Sequence, residues 1–259
     1  MVRGCGLSGC TSKYFAIRRA YAVAVRPRRR RGEGVLSGNG TDGTVVRDAS
    51  RPALVRITYA PPVDLNAVRL RAPATGSAPA LVLRPWRPAD APHLAVLHRD
   101  GELRRWIRSV VDDEAGAERW VRAQERGRLD GDRISFAIVE TAFAEDGLVR
   151  LEVADGPPVG HAVLKRPVPG GPAGEVGYWT AGHARGRGVA SRALDALTDW
   201  AFTAFAEDGL VRLELLHGTD NTASCRVAGS CGYALTASLP AAPPERPRDA
   251  HLHTRHRPG

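Results

Sequence analysis

The chain has 259 residues and a formal net charge of +9, enough for one large domain or two small ones. No apolar run approaches the roughly 20 residues that cross a bilayer, so we expect a soluble, cytoplasmic protein rather than a membrane protein. The cysteines are too few for a disulfide scaffold and lack the two-residue spacing of zinc sites, which favours reduced thiols at Cys5, Cys10, Cys225 and Cys231.

The positive charge is concentrated at the N-terminus. Residues 1–75 hold 14 Lys or Arg against 4 Asp or Glu, a charge of +10, whereas residues 76–259 hold 23 against 24. Residues 1–79 show no sustained periodicity and cannot bury enough apolar surface to offset their ordering entropy. We expect a basic, Gly/Arg-rich and disordered extension there. It is either an arm that makes weak contact with RNA or the ribosome, or a solvated tail.

A folded domain is expected over residues 80–259. A first strand at Leu81–Trp86 precedes a helix capped by Asp90, and a second helix starts at residues 112–114 and stops at Gly127. Further strands are predicted at 134–139, 159–164, 174–180, 210–215, 234–236 and 252–254, with helices from Val189 and after Asn221. The order β-α-α-β-β-β-α-β-α-β predicts an α/β fold with a mixed sheet and helices on both faces.

A twelve-residue segment occurs twice in this domain. Thr141–Glu152 recurs residue for residue at Thr203–Glu214, which is too long an identity for chance and too short for a solenoid. The second copy falls at the end of a predicted helix and on the next strand. The first interrupts what would otherwise be a simple hairpin. We therefore expect an inserted duplicate at residues 141–153 that forms a mobile loop, so deleting it should leave stability nearly unchanged.

The stretch from Glu175 to Leu194 combines a strand, a Gly/Arg-rich turn and the start of an amphipathic helix. Gly186 and Gly188 let the backbone approach a ligand closely. The helix N-terminus that follows offers unpaired N–H groups and a partial positive charge. Arg185 and Arg187 add forked donors suited to phosphate. The residues by themselves predict a cradle for a phosphate or pyrophosphate.

Arg185-Gly186-Arg187-Gly188-Val189-Ala190 resembles the acetyl-CoA signature of the GNAT acyltransferase superfamily, Arg/Gln-x-x-Gly-x-Gly/Ala. The preceding Glu175–Trp179, the later Asn221–Ser224 and Cys231-Gly232-Tyr233 make the chain similar to the RimJ/RimL-like branch, which acetylates N-termini of ribosomal proteins. The similarity extends over about residues 80–240. It implies a GNAT-like fold with a splayed strand that binds acetyl-CoA.

The resemblance also implies roles for individual residues. The pyrophosphate of acetyl-CoA would sit on the N–H groups of residues 187–190, including Gly188, Val189 and Ala190, with Arg185 and Arg187 assisting. The pantetheine would lie along the strand that ends at Trp179 and Thr180, where a backbone N–H would hold the thioester oxygen. Asn221 would help to fix the pantetheine. No metal is implied.

Proton transfer is less well defined in the sequence. The tyrosine that many family members use as an acid corresponds here to Ala228. In the ribosomal branch a serine three residues after the Asn can donate the proton, and the resemblance assigns this role to Ser224. A helix cap is an equally compatible role for this serine. Glu175 is a candidate base, with plain surface exposure or a water-mediated reaction as the alternatives.

The overall expectation is an N-acetyltransferase that moves the acetyl group to a primary amine of a protein N-terminus or small molecule, as a monomer or homodimer. The alternative is a non-catalytic acyl-CoA-binding or ribosome-associated module that uses the basic extension. His251, His253 and His256 place two imidazoles on one face of a strand. Because no third ligand is evident, a solvated strand edge is preferred to a metal site.

Overall fold

An eight-stranded mixed sheet organises the part of the chain that the computed structural model describes, residues 64–141, 156–166, 168 and 170–259. Its strands are β1 (Leu70–Ala72), β2 (Leu81–Pro85), β3 (Arg133–Glu140), β4 (Pro158–Lys165), β5 (Ala173–Thr180), β6 (Arg212–Gly218), β7 (Ala234–Leu239) and β8 (Ala250–His256). Their spatial order is β1-β2-β3-β4-β5-β6-β8-β7. All neighbours are antiparallel except β5 and β6, which run parallel.

Helices cover both faces of this sheet, as predicted. They are α1 (Ala91–Leu97), α2 (Gly101–Trp106), α3 (Glu114–Asp130), α4 (Val189–Ala204) and α5 (Thr222–Ser230). Successive β3 residues alternate between two cores: Phe136 packs with residues of α4, whereas Ala137 packs with residues of α1 and α3. Among the described residues, no helix combines the length and hydropathy needed to cross a membrane.

The second predicted helix continues past its expected end. Gly127 was expected to stop it, but α3 runs to Asp130 and ends at Gly131, which has a left-handed φ of 76°. At Gly127 a Cβ atom would lie 2.8 Å from the Cβ of Arg133. The missing side chain therefore lets the helix approach the first residue of β3, and this glycine serves packing rather than termination.

Two short elements lie outside the predictions. β1 pairs with β2, so the sheet begins ten residues before the boundary expected at residue 80. α2 begins after Asp100, whose side chain accepts hydrogen bonds from the N–H groups of Glu102 and Leu103. β1 is shorter than a typical strand, and α2 is shorter than two helical turns. Each therefore has too few residues to show a periodic pattern of apolar side chains.

The strand β5 separates from its parallel neighbour part way along its length. The two strands pair only from Ala173 opposite Arg212 to Val176 opposite Leu215. On its other edge, β5 stays paired with β4 as far as Thr180. The far end of β5 is therefore splayed away from β6, as the sequence resemblance implies, and one backbone edge is open.

Two of the expected segments lie largely outside the described residues. The extension is described only from residue 64, and the first copy of the repeat is described only at Thr141. The strands that flank this copy, β3 and β4, pair antiparallel with Val139 opposite Pro158. The hairpin expected around the insertion is therefore present, while the insertion's own conformation stays a prediction.

Candidate active site

A cavity of about 460 Å³ occupies the gap where β5 splays from β6. Its walls are formed by residues of α2 and β5, of the turn before α4, and of α5: Glu102, Leu103, Trp106, 178–180, 184–186, 188–191, 220–224, 226 and 227. This volume is within the range of small-molecule sites. Every predicted cofactor-binding residue lines the cavity except Arg187, and so does Ser224, whereas Glu175 does not.

The turn before α4 presents backbone donors to this cavity. Gly186 and Gly188 adopt left-handed φ values of 74° and 71°, which side-chain-bearing residues adopt only at a cost. They turn the chain so that α4 begins at Val189, and no side chain caps this helix start. The first N–H groups of a helix lack intrahelical partners, and the macrodipole adds partial positive charge there. An anion is the ligand that such a start favours.

The two arginines of the turn are held by carboxylates. One guanidinium nitrogen of Arg185 lies 2.6 Å from Oδ2 of Asp100, and one of Arg187 lies 2.5 Å from Oε1 of Glu140. Both arginine side chains remain 38% exposed. Since each fork has five N–H donors, donors are left for a phosphate. Asp100 also caps α2, so one carboxylate couples the turn to the opposite wall.

The open edge of β5 supplies further donors. The N–H of Ala181 donates to the carbonyl of Val159 on β4 at 2.9 Å. Because N–H groups point alternately to the two edges of a strand, those of Tyr178 and Thr180 point to the opposite edge, into the gap. They lie beyond the last pair with β6, Val176 opposite Leu215. An extended ligand in the gap can therefore bond to β5 as an added strand would.

Asn221 and Ser224 lie at the start of α5. The side-chain oxygen of Asn221 accepts the N–H of Ser224 at 3.1 Å, so Asn221 caps the helix. The interpretation of Ser224 as the cap is therefore wrong, and its hydroxyl is available to the cavity. Next to it, burial raises the pKa of Tyr178 to about 12, an effect that Ser224 partly offsets. The Tyr178 hydroxyl is buried without a well-formed hydrogen bond.

Glu175 lies away from these groups. It sits near the beginning of β5, opposite Lys165 of β4, and the two side chains form an ion pair. The cavity is at the other end of the strand, where Tyr178, three residues after Glu175, is the first β5 residue that lines it. The carboxylates that the structure does bring to the cavity are Glu102 and Asp220. Their sequence positions give no signal, because α2 is too short to be predicted and Asp220 lies in a turn.

Trp179 contributes its side chain to a buried aromatic cluster behind the cavity. The ring of His161 stacks on it at 5.7 Å, and the ring of His98 meets it edge-on at 5.5 Å. Burial lowers the pKa of His98 to about 4 and lowers that of His161 as well. Both imidazoles are therefore neutral near pH 7, and the cluster is an apolar support for β5.

A second cleft adjoins the first across Trp106, which lines both. Five arginines line it: Arg104, Arg105, Arg108, Arg246 and Arg248. Among the described residues that line it, Asp249 is the only carboxylate. Asp220, at the edge of the first cavity, pairs with Arg105 at 2.9 Å. Arg104 also pairs with Asp112 at 2.6 Å, and Arg248 approaches Asp220 at 4.0 Å. These carboxylates offset part of the positive charge, and the second cleft stays basic because its arginines outnumber them.

A cluster of histidines and a cysteine borders the second cleft through His217. His217, Cys225, His251 and His253 each place one ligand atom within 4.8 Å of the others. No third ligand was evident from the sequence, but the structure places two further candidate ligands beside the histidines of β8, His217 from β6 and Cys225 from α5. His256, the other histidine considered from the sequence, is outside this cluster.

Comparison with known proteins agrees with the fold. A family described as acetyltransferase (GNAT) domain matches residues 80–234, more than half of the chain. Mycobacterium smegmatis RimJ in complex with CoA-disulfide is similar at a TM-score of 0.58 and 23% identity, over 73% of this chain and 86% of that one. A Salmonella typhimurium acetyl transferase that modifies the N-terminal serine of ribosomal protein L7/L12 is similar at a TM-score of 0.56 and 19% identity. The match covers 73% of this chain and 99% of that one.

A third solved structure is more distant in sequence. The microcin C7 self-immunity acetyltransferase MccE, in complex with acetyl-CoA and AMP, has a TM-score of 0.54 and 14% identity, over 68% of this chain and 92% of that one. No curated protein sequence matches the chain. The structural similarities establish the fold, and the family match over residues 80–234 establishes membership: this chain belongs to the GNAT family of acetyltransferases.

Proposed function

We propose that this enzyme transfers the acetyl group of acetyl-CoA to a primary amine by direct attack, as a cytoplasmic monomer or homodimer of the RimJ/RimL-like branch. The observation that carries the proposal is the meeting, in one cavity, of the uncapped start of α4 and the open edge of β5. The first site suits a pyrophosphate and the second an extended amide chain. Coenzyme A contains both parts in sequence, a pyrophosphate joined to the extended, amide-containing pantetheine arm that ends in the thiol.

The residues of the cavity fit this co-substrate. The N–H groups of Gly188, Val189 and Ala190 would bind the pyrophosphate, and the free donors of Arg185 would add charge. Arg187 lies outside the cavity wall but within the same turn, where it would contribute at longer range. Along β5, the N–H groups of Tyr178 and Thr180 would bond to the pantetheine and to the thioester oxygen as negative charge develops there.

Proton transfer is assigned to groups at the start of α5. Ser224 would donate a proton to the departing thiolate, since its hydroxyl is in the cavity and is not needed as a cap. Burial raises the pKa of the neighbouring Tyr178 to about 12, so its hydroxyl stays uncharged beside Ser224. Glu102, which lines the cavity, replaces Glu175 as the candidate base, directly or through water.

The second cleft indicates the chemistry of the acceptor. This cleft, lined by five arginines, shares Trp106 with the cavity. An acceptor amine would approach the thioester from this side. Arginine forks bind carboxylates and phosphates in preference to neutral groups. We therefore propose that the amine is carried by an acidic molecule, such as an acidic N-terminal peptide. That the Salmonella relative modifies a ribosomal protein N-terminus supports the peptide class.

The test is release of free thiol from acetyl-CoA by the full chain with a panel of amines. Peptides with a free N-terminus and acidic residues should react, and their Gln/Asn counterparts should show a higher KM. Ser224→Ala should lower kcat about tenfold or more, as removal of a general acid does. Ser230→Ala is the control, because that hydroxyl is exposed on the same helix and bonds to the Val227 carbonyl.

The second candidate is a non-catalytic acyl-CoA-binding or ribosome-associated module, favoured by the absence of a tyrosine at Ala228. In that case coenzyme A would bind, but no amine would support thiol release. Salt-sensitive RNA binding that disappears on removal of residues 1–63, which leaves β1 in place, would support this module only if turnover were also absent. Turnover in both full-length and truncated chains would exclude it.

A further inference from the structure

The His/Cys cluster joins three secondary-structure elements into one candidate site. His217 is on β6, Cys225 is on α5, and His251 and His253 are both on β8. Their ligand atoms lie within 4.8 Å of one another. None of the four residues lines the acetyl-CoA cavity, so the cluster is separate from that site.

The register of β6 and β8 brings the three imidazoles onto one face. His217 is directly opposite His251, and His253 is opposite Leu215, two residues along β6. Side chains two residues apart point to the same face of a strand. The ring centres of His217 and His253 are 5.1 Å apart, and those of His217 and His251 are 5.8 Å apart. Cys225 approaches from α5, with its Sγ 3.3 Å from Nδ1 of His251.

The backbone fixes which ring nitrogen two of these histidines can offer. Nδ1 of His217 is 2.9 Å from the Gly218 carbonyl, and Nδ1 of His253 is 3.2 Å from the Tyr233 carbonyl. Because a carbonyl only accepts, each Nδ1 must carry the hydrogen and each Nε2 must carry the lone pair. Both Nε2 atoms are buried without a hydrogen-bond partner, and His253 is only 5% exposed.

This arrangement is the one found around metal-bound histidines. A ligating imidazole usually donates its other N–H to a carbonyl or carboxylate, which fixes its tautomer and orientation. Buried polar atoms without partners are rare and require an explanation, which a bound cation would provide. Four ligands without an open position are typical of a structural site, and three imidazoles with one thiolate suit Zn²⁺ rather than the oxygen-preferring Mg²⁺ or Ca²⁺.

We propose that His217, Cys225, His251 and His253 bind one Zn²⁺ ion in a closed tetrahedral site. Small movements suffice, because the ligand atoms already lie within 4.8 Å of one another. The ion would attach α5 to the strands β6 and β8. Since Ser224 directly precedes Cys225, zinc binding would also restrict the motion of the helix start that lines the acetyl-CoA cavity.

The experiment measures zinc binding by the full chain after chelator treatment and dialysis. The background carries Cys5→Ser and Cys10→Ser, so that thiols outside the described residues cannot contribute. We expect one equivalent of Zn²⁺ per chain and a higher Tm with zinc than without it. Co²⁺ serves as a spectroscopic probe, because only a thiolate ligand gives an intense near-ultraviolet charge-transfer band.

Ligand and control variants locate the site. Cys225→Ser and His251→Gln should each weaken zinc binding by about 100-fold or more, since even residues that support a ligand contribute 10- to 100-fold. Cys225→Ser should also abolish the Co²⁺ band. The controls Cys231→Ser and His256→Gln should keep both properties. Circular dichroism and the zinc-free Tm verify that each variant is folded.

Two results would overturn the proposal. One is a folded parent protein that binds no zinc at equimolar concentration. The other is zinc binding that Cys225→Ser and His251→Gln leave at the level of the two controls. Neither result depends on acetyl transfer, so the zinc site and the proposed activity can fail separately.

Discussion

His98 should make folding sensitive to mild acid. It ends α1 with 1% of its surface exposed, and its Nδ1 accepts the Val111 N–H at 3.1 Å. Around it lie the rings of Trp120 and Trp179, with Arg104 as the nearest charge. Burial, assisted by that arginine, lowers the pKa of His98 from 6.5 to about 4. The folded protein therefore resists protonation of this imidazole.

The size of the effect follows from the difference in pKa. Because the unfolded chain binds the proton more readily, acid favours unfolding. The stabilisation from His98 is fully present above pH 6.5 and is lost as the pH falls toward 4. Between a pKa of 6.5 and one of about 4, linkage gives a loss of about 2 kcal/mol by pH 5 and about 3 kcal/mol by pH 4. For a domain of this size, 2 kcal/mol corresponds to roughly 4–8 °C in Tm.

Urea denaturation from pH 7.5 to 4.5 would measure this loss. His98→Asn keeps an acceptor where Nδ1 lies and removes the titrating ring, so its free energy of unfolding should fall less steeply with acid than that of the parent. His93→Asn is the matched control, since His93 is exposed on the same helix. If the parent and His98→Asn lose the same free energy between pH 7 and 5, His98 does not titrate as the structure indicates.

Two further substitutions test stability and coenzyme binding. Asp90→Ala should lower the free energy of unfolding, measured with urea, by about 3–5 kcal/mol, because it removes the carboxylate that accepts two hydrogen bonds from the buried Arg84 at 2.7 and 2.8 Å. The control Glu118→Ala, at a half-exposed ion pair, should lower it by less than about 1 kcal/mol. Gly188→Ala should lower coenzyme A affinity about tenfold by calorimetry, because the free turn of the variant can relax away from φ of 71°, and restoring this φ for the ligand costs about 1–2 kcal/mol with a side chain. Gly229→Ala, where an added Cβ meets nothing within 4 Å, should bind coenzyme A normally.

The backbone geometry of the proposed anion cradle could be predicted because all of its parts are contiguous in sequence. A strand, two glycines with positive φ and a helix start follow one another between Glu175 and Val189. Their relative positions are therefore set by the local backbone conformation. The opposite wall was not predictable in the same way. α2 has six residues, and it depends on Asp100 both for its cap and for its ion pair to Arg185. That coupling joins positions 85 residues apart in sequence.

The histidine cluster shows the same limit more sharply. The sequence places two histidines on one face of β8, but the other two candidate ligands depend on the register of β6 and the packing of α5. A register shift of one residue would move His217 to the other face of the sheet. Glu175 shows the converse, since its strand was predicted correctly and yet the splay begins only after Val176, beyond it. Local patterns identify which residues can do chemistry, and strand register together with the point of splay decides which of them meet.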